Sequence, residues 1–130
     1  MTRKQEREQV FCLIFEKCFH DESCEEILNI ANEVRDFEIT EYIKSVFCGV
    51  FDNLDIIDET ISKYLINWKT DRISKIDLAL LRYAVYEMKF CDDIPENVTI
   101  NEIVELAKTY SGEKGPSYIN GVLGSISRDK

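Results

Sequence analysis

Apolar residues recur at helical spacing along almost the whole chain, and few residues interrupt them. Near the C-terminal end, Ile119, Val122, Leu123 and Ile126 follow the i, i+3, i+4, i+7 pattern of one helix face. There are five glycines and only two prolines, both after residue 94, a composition that favours long helices over many short strands. At 130 residues the chain is large enough for one domain with a real core. The pattern therefore predicts an all-α bundle of seven helices.

Capping residues and apolar periodicity predict where these helices begin and end. Thr2 is a plausible N-cap for the first helix, and capping-box patterns begin at Ser23, Ser74 and Thr99. The predicted helices cover residues 2–19, a stretch from Ser23 through Val34, the stretch from Thr40 to Asn53, residues 55–68, residues 74–91, residues 99–110, and a last helix with Pro116 in its first turn. Because the helix over 74–91 is apolar around much of its circumference, we expect it in the middle of the bundle.

The charge balance is strongly acidic. The formal net charge is -9, whereas a free-standing nucleic-acid binder usually has a net basic domain, since phosphate neutralisation supplies most of its affinity. Any phosphate contact must then come from a local patch or from a partner. Acidity by itself favours solubility and basic partners.

Cysteine usage and the absence of catalytic motifs argue against a metal centre or an enzyme. The five cysteines, Cys12, Cys18, Cys24, Cys48 and Cys91, include no C-x-x-C pair, and His20 is the single histidine. We interpret them as reduced thiols that serve as small core residues. The sequence contains no nucleophile elbow, Gly-rich phosphate loop or HExxH motif, so we expect neither catalysis nor a cofactor.

The N-terminus is charged and has no signal-like apolar region, and no apolar run approaches the ~20 residues needed to span a bilayer. We therefore expect a cytoplasmic protein.

Two places offer candidate RNA contacts. Arg3, Lys4 and Arg7 fall within an arc of roughly 100° on the first helix, and such a basic face is either a phosphate-binding arm or a solvated helix end. Tyr118 and Asn120 begin the last helix, where an aromatic beside an amide can stack on an unpaired base and hydrogen-bond it. Alternatively, Tyr118 packs against the bundle.

Asp77 is the third helical residue of the capping box that begins at Ser74. It caps that helix or offers an acidic contact to a basic protein partner, and the two roles can coexist.

Several blocks in the second half of the chain together resemble the NusB family of transcription antitermination factors. They are residues 68–72 (WKTDR), 81–87 (LRYAVYE), Pro95, 98–102 (VTINE), 105–108 (ELAK) and 118–123 (YINGVL). In the first helix, Arg7 and Glu8 followed by Phe11 and Phe15 are also similar to this family. The likeness covers essentially the whole chain.

The resemblance implies an all-helical fold of two small subdomains, approximately 1–68 and 69–130. It implies binding of boxA-type leader RNA of ribosomal transcripts, as a heterodimer with NusE, a small-subunit ribosomal protein. Other Nus factors and RNA polymerase would then be indirect partners, and a homodimer is a further expectation for some members. By position, it assigns Arg3, Lys4, Arg7, Tyr118 and Asn120 to RNA, and it assigns Asp77 and Phe15 to NusE.

Two departures from the family pattern bear on these expectations. Gln5 and Glu6 dilute the basic arm, and Lys114-Gly115-Pro116 replaces a loop that is often more polar or acidic. Weak RNA affinity of the chain alone is therefore expected. An alternative is a protein–protein adaptor that binds NusE but has lost specific RNA recognition.

Overall fold

The computed structural model describes residues 1–35, 38–65 and 73–129. Within these ranges it contains no strand and seven α-helices: α1 (Arg3–Lys17), α2 (Cys24–Val34), α3 (Glu41–Asp52), α4 (Leu54–Tyr64), α5 (Lys75–Phe90), α6 (Glu96–Tyr110) and α7 (Gly115–Arg128). The predicted all-α fold is confirmed. Residues 66–72, which include Trp68, lie outside the described residues, as does the predicted boundary between two subdomains, which stays a prediction.

Four of the predicted N-terminal helix boundaries are confirmed by side-chain caps. At Thr2 both halves of a capping box form, since its hydroxyl accepts from the Gln5 N–H at 3.1 Å and Gln5 Oε1 accepts from the Thr2 N–H at 2.8 Å. The hydroxyls of Ser23, Thr40 and Ser74 each accept a backbone N–H three residues later. These bonds satisfy N–H groups that the first helical turn leaves without partners.

The predicted capping box at Thr99 is wrong. Helix α6 begins at Glu96, with Pro95 as N-cap at a φ of −60°. Proline suits this place because its fixed φ matches a helix start. Thr99 lies inside the helix and is fully buried, and its hydroxyl donates to Glu87 Oε1 at 2.8 Å instead of capping.

Helix α5 is the centre of the bundle, as its apolar circumference predicts. It packs against α1, α3, α4, α6 and α7. Leu80, Leu81 and Tyr83 are fully buried on it. Arg82 fixes α4 to α5, because its Nε and Nη2 donate to the two carboxylate oxygens of Asp58, each at 2.9 Å.

Three apolar residues of the predicted helices are exposed: Ile30, Val34 and Ile56. None of the described helices is both long and apolar enough to cross a membrane.

Candidate functional site

The two arginines of α1 lie on one helix face, because residues four apart are neighbours on a helix surface. Arg3 is near the solvent end, where 56% of its side chain is exposed. Its guanidinium carbon lies 3.8 Å from the centroid of the Tyr42 ring, and its Nε lies 3.5 Å from a carboxylate oxygen of Glu6. Lys4 beside it is exposed. Arg3 and Lys4 are thus accessible cations at the N-terminal end of α1.

Arg7, one turn further along, is buried, with only 5% of the residue exposed. Its Nη1 donates to both carboxylate oxygens of Glu87, at 3.0 and 2.8 Å. The predicted exposed basic face of Arg3, Lys4 and Arg7 is therefore wrong for Arg7, because a carboxylate on α5 holds its side chain inside the bundle.

Glu87 is the centre of a buried polar network that joins four helices. The carboxylate is fully buried and accepts from Arg7 on α1, from the Tyr42 hydroxyl on α3 at 2.8 Å, and from the Thr99 hydroxyl on α6 at 2.8 Å. The hydroxyls of Tyr42 and Tyr83 are 2.7 Å apart. Since Tyr42 has one hydroxyl hydrogen and donates it to Glu87, Tyr83 donates to Tyr42. A buried carboxylate is tolerated because it is paired and hydrogen-bonded in this way.

Burial raises the pKa of both phenols of this network above the ordinary value, and for Tyr42 the negative charge of Glu87 adds to the effect. Both hydroxyls therefore keep their protons at neutral pH, and the hydrogen bonds of the network stay intact.

Acidic side chains surround the accessible cations. The hydrogen bond from Lys108 to Glu105, 2.9 Å long, lowers the pKa of that carboxyl, and the charge of Lys4 adds a smaller contribution. Glu6 lies 3.5 Å from Arg3, and Glu105 is within electrostatic range of Lys4, so carboxylates reduce the positive charge of this patch.

Asp77 lies at a second place, where the N-terminal ends of α5 and α7 meet the C-terminal end of α6. Its N–H donates to Ser74, which caps α5, but its carboxylate accepts from the Ser111 hydroxyl at 2.6 Å. Gly115 is needed beside them, because a Cβ at this position would overlap the Ser111 hydroxyl. The carboxylate of Asp77 is therefore a link to the loop before α7 and does not cap its own helix.

The same place contains a cleft of about 840 Å³ whose lining includes Ile73, Asp77, Lys114 and Tyr118. Among the described residues the buried Tyr118 hydroxyl has no hydrogen-bond partner. Burial and, second, the charge of Asp77 raise the pKa of this phenol. The cleft thus offers an aromatic ring and a carboxylate acceptor to a ligand.

Tyr118 and Asn120 do not share a face of α7. Residues two apart on a helix point about 200° from each other. Asn120 is exposed, whereas Tyr118 is half-buried in the cleft. The two side chains cannot contact one base together from this helix. The prediction that Tyr118 stacks on a base to which Asn120 also forms a hydrogen bond is therefore wrong.

Phe15, the other predicted partner contact, is half-buried in a row of aromatics along α1. Its ring lies 6.2 Å from that of Phe11 and 5.2 Å from that of Phe19, measured between centroids. Phe19 is 57% exposed, and the Lys75 ammonium lies 5.6 Å from its ring. Lys75 begins α5, so Phe19, with Phe15 beside it, lies near the N-terminal end of that helix. Asp77, two residues further on, leaves α5 in a nearly opposite direction, toward Ser111.

The sequence-based prediction did not identify Tyr42, Glu87 or Ser111. Glu87 had a detectable signal, since a carboxylate within a helix that is apolar around most of its circumference needs a buried partner. Tyr42 and Ser111 had none, because their roles depend on contacts with residues at least 34 positions away.

The cysteines are free thiols, all half-buried, which agrees with packing roles at the edge of the core. Burial raises the pKa of four of these thiols, Cys12, Cys24, Cys48 and Cys91. The pKa of Cys24 is raised to about 11. In the described part of the chain, there is no group of three or more His, Cys, Asp or Glu side chains that could hold a metal ion.

An all-helical domain with exposed cations at one place and a cleft holding a carboxylate and an aromatic at another is a binding protein of the helical-bundle class. Residues 4–128 match the model of the NusB family. The chain therefore belongs to the NusB family, which consists of non-enzymatic transcription antitermination factors.

Individual relatives match over nearly their full length. A transcription antitermination protein NusB of Clostridium botulinum (strain Alaska E43 / Type E3) is 47% identical over 131 residues, covering 97% of this chain and 98% of the relative. The solved structure of T. maritima NusB has a TM-score of 0.88 at 38% identity, covering 99% of this chain and 92% of that one. A NusB structure solved with NusE and double-stranded RNA has a TM-score of 0.87 at 25% identity, covering 100% of both chains.

Proposed function

We propose that this antitermination factor binds boxA-type leader RNA as a heterodimer with NusE and joins the antitermination complex on RNA polymerase during ribosomal RNA transcription. The observation that carries the proposal is the full-length likeness to a NusB solved together with NusE and RNA. Other Nus factors would be reached through this complex. Because such a factor works beside RNA polymerase, we also propose a cytoplasmic location.

Arg3 and Lys4 are the proposed phosphate contacts. Both are exposed on the first turn of α1, so their ammonium and guanidinium groups reach solvent without a change in the fold. Phosphate contacts of this kind position RNA without reading its sequence. Arg7 has no part in the proposal, since Glu87 already uses its guanidinium.

The cleft is the proposed place of base recognition. Tyr118 supplies a ring on which an unpaired base could stack. Asn120, on another face of α7, would contact a different nucleotide from the one that Tyr118 stacks upon.

NusE is the proposed protein partner at the N-terminal end of α5. Asp77 would give NusE a carboxylate, and the row of Phe15 and Phe19, near Lys75 at the same helix end, would give it apolar area. A net charge of -9 favours a basic partner, which would also supply cations that the chain lacks.

The test of the RNA contacts uses fluorescence anisotropy of labelled boxA-type RNA with the heterodimer across a salt series. Arg3→Ala and Lys4→Ala should each weaken binding to all RNA sequences and reduce the slope of log K against log salt by about 0.7, the value for one single-strand phosphate contact. Lys63→Ala is the matched control, because it removes an exposed cation from α4. Equal slopes for all three variants would contradict the assignment.

The adaptor alternative is favoured by one observation: the accessible cations lie beside carboxylates, and Arg7 is not accessible. It predicts tight binding to NusE with equal affinity for boxA-type and scrambled RNA.

Light scattering at several concentrations, run on the same samples, reports whether the chain pairs with itself.

A further inference from the structure

The guanidinium of Arg3 is held in place before any ligand arrives. One face of it lies on the Tyr42 ring, 3.8 Å from carbon to centroid, and its Nε faces Glu6 at 3.5 Å. More than half of the side chain remains exposed, and the described residues give its other nitrogens no polar partner. An aromatic face attracts a cation without using its N–H groups, so the in-plane donors of Arg3 stay available.

The Tyr42 side chain is itself held in place by hydrogen bonds. Its hydroxyl donates to the buried Glu87 at 2.8 Å and lies 2.7 Å from the Tyr83 hydroxyl. The start of α3 is also linked to α1 by a hydrogen bond from the Thr40 hydroxyl to Glu6. The ring under Arg3 is therefore a rigid part of the bundle.

We propose that Tyr42 is a positioning residue for RNA binding: its ring holds the Arg3 guanidinium in the orientation in which it binds a phosphate. The inference rests on the proposed phosphate contact of Arg3. A free arginine loses the freedom of several rotatable bonds when it binds, whereas a stacked arginine has already lost part of it. Tyr42 does not contact RNA in this account.

Two substitutions separate the ring from its hydroxyl. Tyr42→Phe keeps the aromatic face and removes the hydrogen bonds to Glu87 and Tyr83, whereas Tyr42→Leu removes both. Each loses the same buried hydrogen bonds, so the two variants differ in the aromatic ring that stacks on Arg3. Thermal unfolding of both variants identifies conditions under which both are folded.

The geometry is tested first without RNA, by the NMR shift of the Arg3 Nε–H group. The Tyr42 ring current should move this resonance upfield in the wild type and in Tyr42→Phe, and Tyr42→Leu should return it to the position of an exposed arginine. An unchanged resonance in Tyr42→Leu would overturn the inference, whatever the chain binds.

The functional test measures boxA-type RNA binding by the heterodimer in a double-mutant cycle at low salt. Tyr42→Leu should weaken binding about two- to five-fold, the effect of losing one exposed cation–π contact, and Tyr42→Phe should bind within about twofold of wild type. Once Arg3 is alanine, Tyr42→Leu should have no further effect, since it acts only through Arg3.

Independent, additive losses from Arg3→Ala and Tyr42→Leu would overturn the positioning role while leaving the RNA-binding function in place. An unaltered affinity in Arg3→Ala would overturn both the phosphate contact and its positioning. A heterodimer that binds no RNA at all would overturn the proposed function itself, and the NMR shift would still report the stacking.

Discussion

At the scale of single residues, two arginines on one face of α1 have opposite environments. Arg3 lies on a half-buried aromatic ring, and Arg7 is buried against a carboxylate on α5. An arginine can be buried only where a carboxylate pairs with its charge, and here that carboxylate is Glu87. Two hydroxyl groups also donate hydrogen bonds to Glu87. That partner lies 80 positions away in sequence. Nothing near Arg7 in the chain could therefore predict its burial.

The Arg7–Glu87 pair should matter greatly for stability. Arg7→Met keeps an unbranched apolar stem but leaves the buried Glu87 carboxylate without a cation, so we expect the free energy of unfolding to fall by about 3–5 kcal/mol. Urea denaturation followed by circular dichroism measures this change.

Lys63→Met is the matched control, since the exposed Lys63–Glu59 pair on α4, with N and O 3.6 Å apart, should contribute at most about 0.5 kcal/mol. Equal destabilisation by the two substitutions would show that Glu87 does not depend on Arg7.

At the scale of helices, sequence signals predicted those boundaries that side chains determine locally. Ser23, Thr40 and Ser74 each lie at the start of a helix because a nearby backbone N–H needs an acceptor. Thr99 shows the same pattern in sequence but is inside α6, because Pro95 begins the helix earlier and Glu87 takes the Thr99 hydroxyl. A capping pattern identifies a possible start, and tertiary contacts decide whether it is used.

Two glycines of the α7 region should respond to substitution in opposite directions. At Gly121 an added Cβ meets nothing within 4 Å, so Gly121→Ala should stabilise the helix by about 1 kcal/mol. At Gly115 the Cβ would overlap Ser111, so Gly115→Ala should destabilise by about 1–3 kcal/mol and break the Ser111–Asp77 hydrogen bond. Thermal melts of both variants test the pair.

A Gly115→Ala variant as stable as Gly121→Ala would mean that the Ser111 side chain can move without cost, and that the cleft at Asp77 is not held in one shape by this hydrogen bond.

At the scale of the whole molecule, the helical bundle and the central position of α5 could be predicted from apolar spacing. The arrangement of the candidate contacts could not. Asp77 and Tyr118, predicted for different partners, line one cleft, and Tyr118 and Asn120, neighbours in sequence, point to different faces of α7. Both results depend on how α5, α6 and α7 pack, which no local pattern encodes.

The acidic net charge of the chain leads us to expect that NusE supplies cations for RNA binding. The chain carries 25 acidic and 16 basic residues, and its accessible Arg3 and Lys4 have carboxylates nearby. Since phosphate neutralisation supplies most RNA affinity, the chain alone should bind RNA weakly, and a basic NusE should add the missing cations.

The most direct test of this account is the affinity for boxA-type RNA measured with and without NusE across a salt series. We expect NusE to raise the affinity at least about tenfold and to steepen the slope of log K against log salt by about 0.7 for each phosphate that it contacts. The same affinity and the same slope with and without NusE would contradict the claim that the heterodimer is the RNA-binding unit.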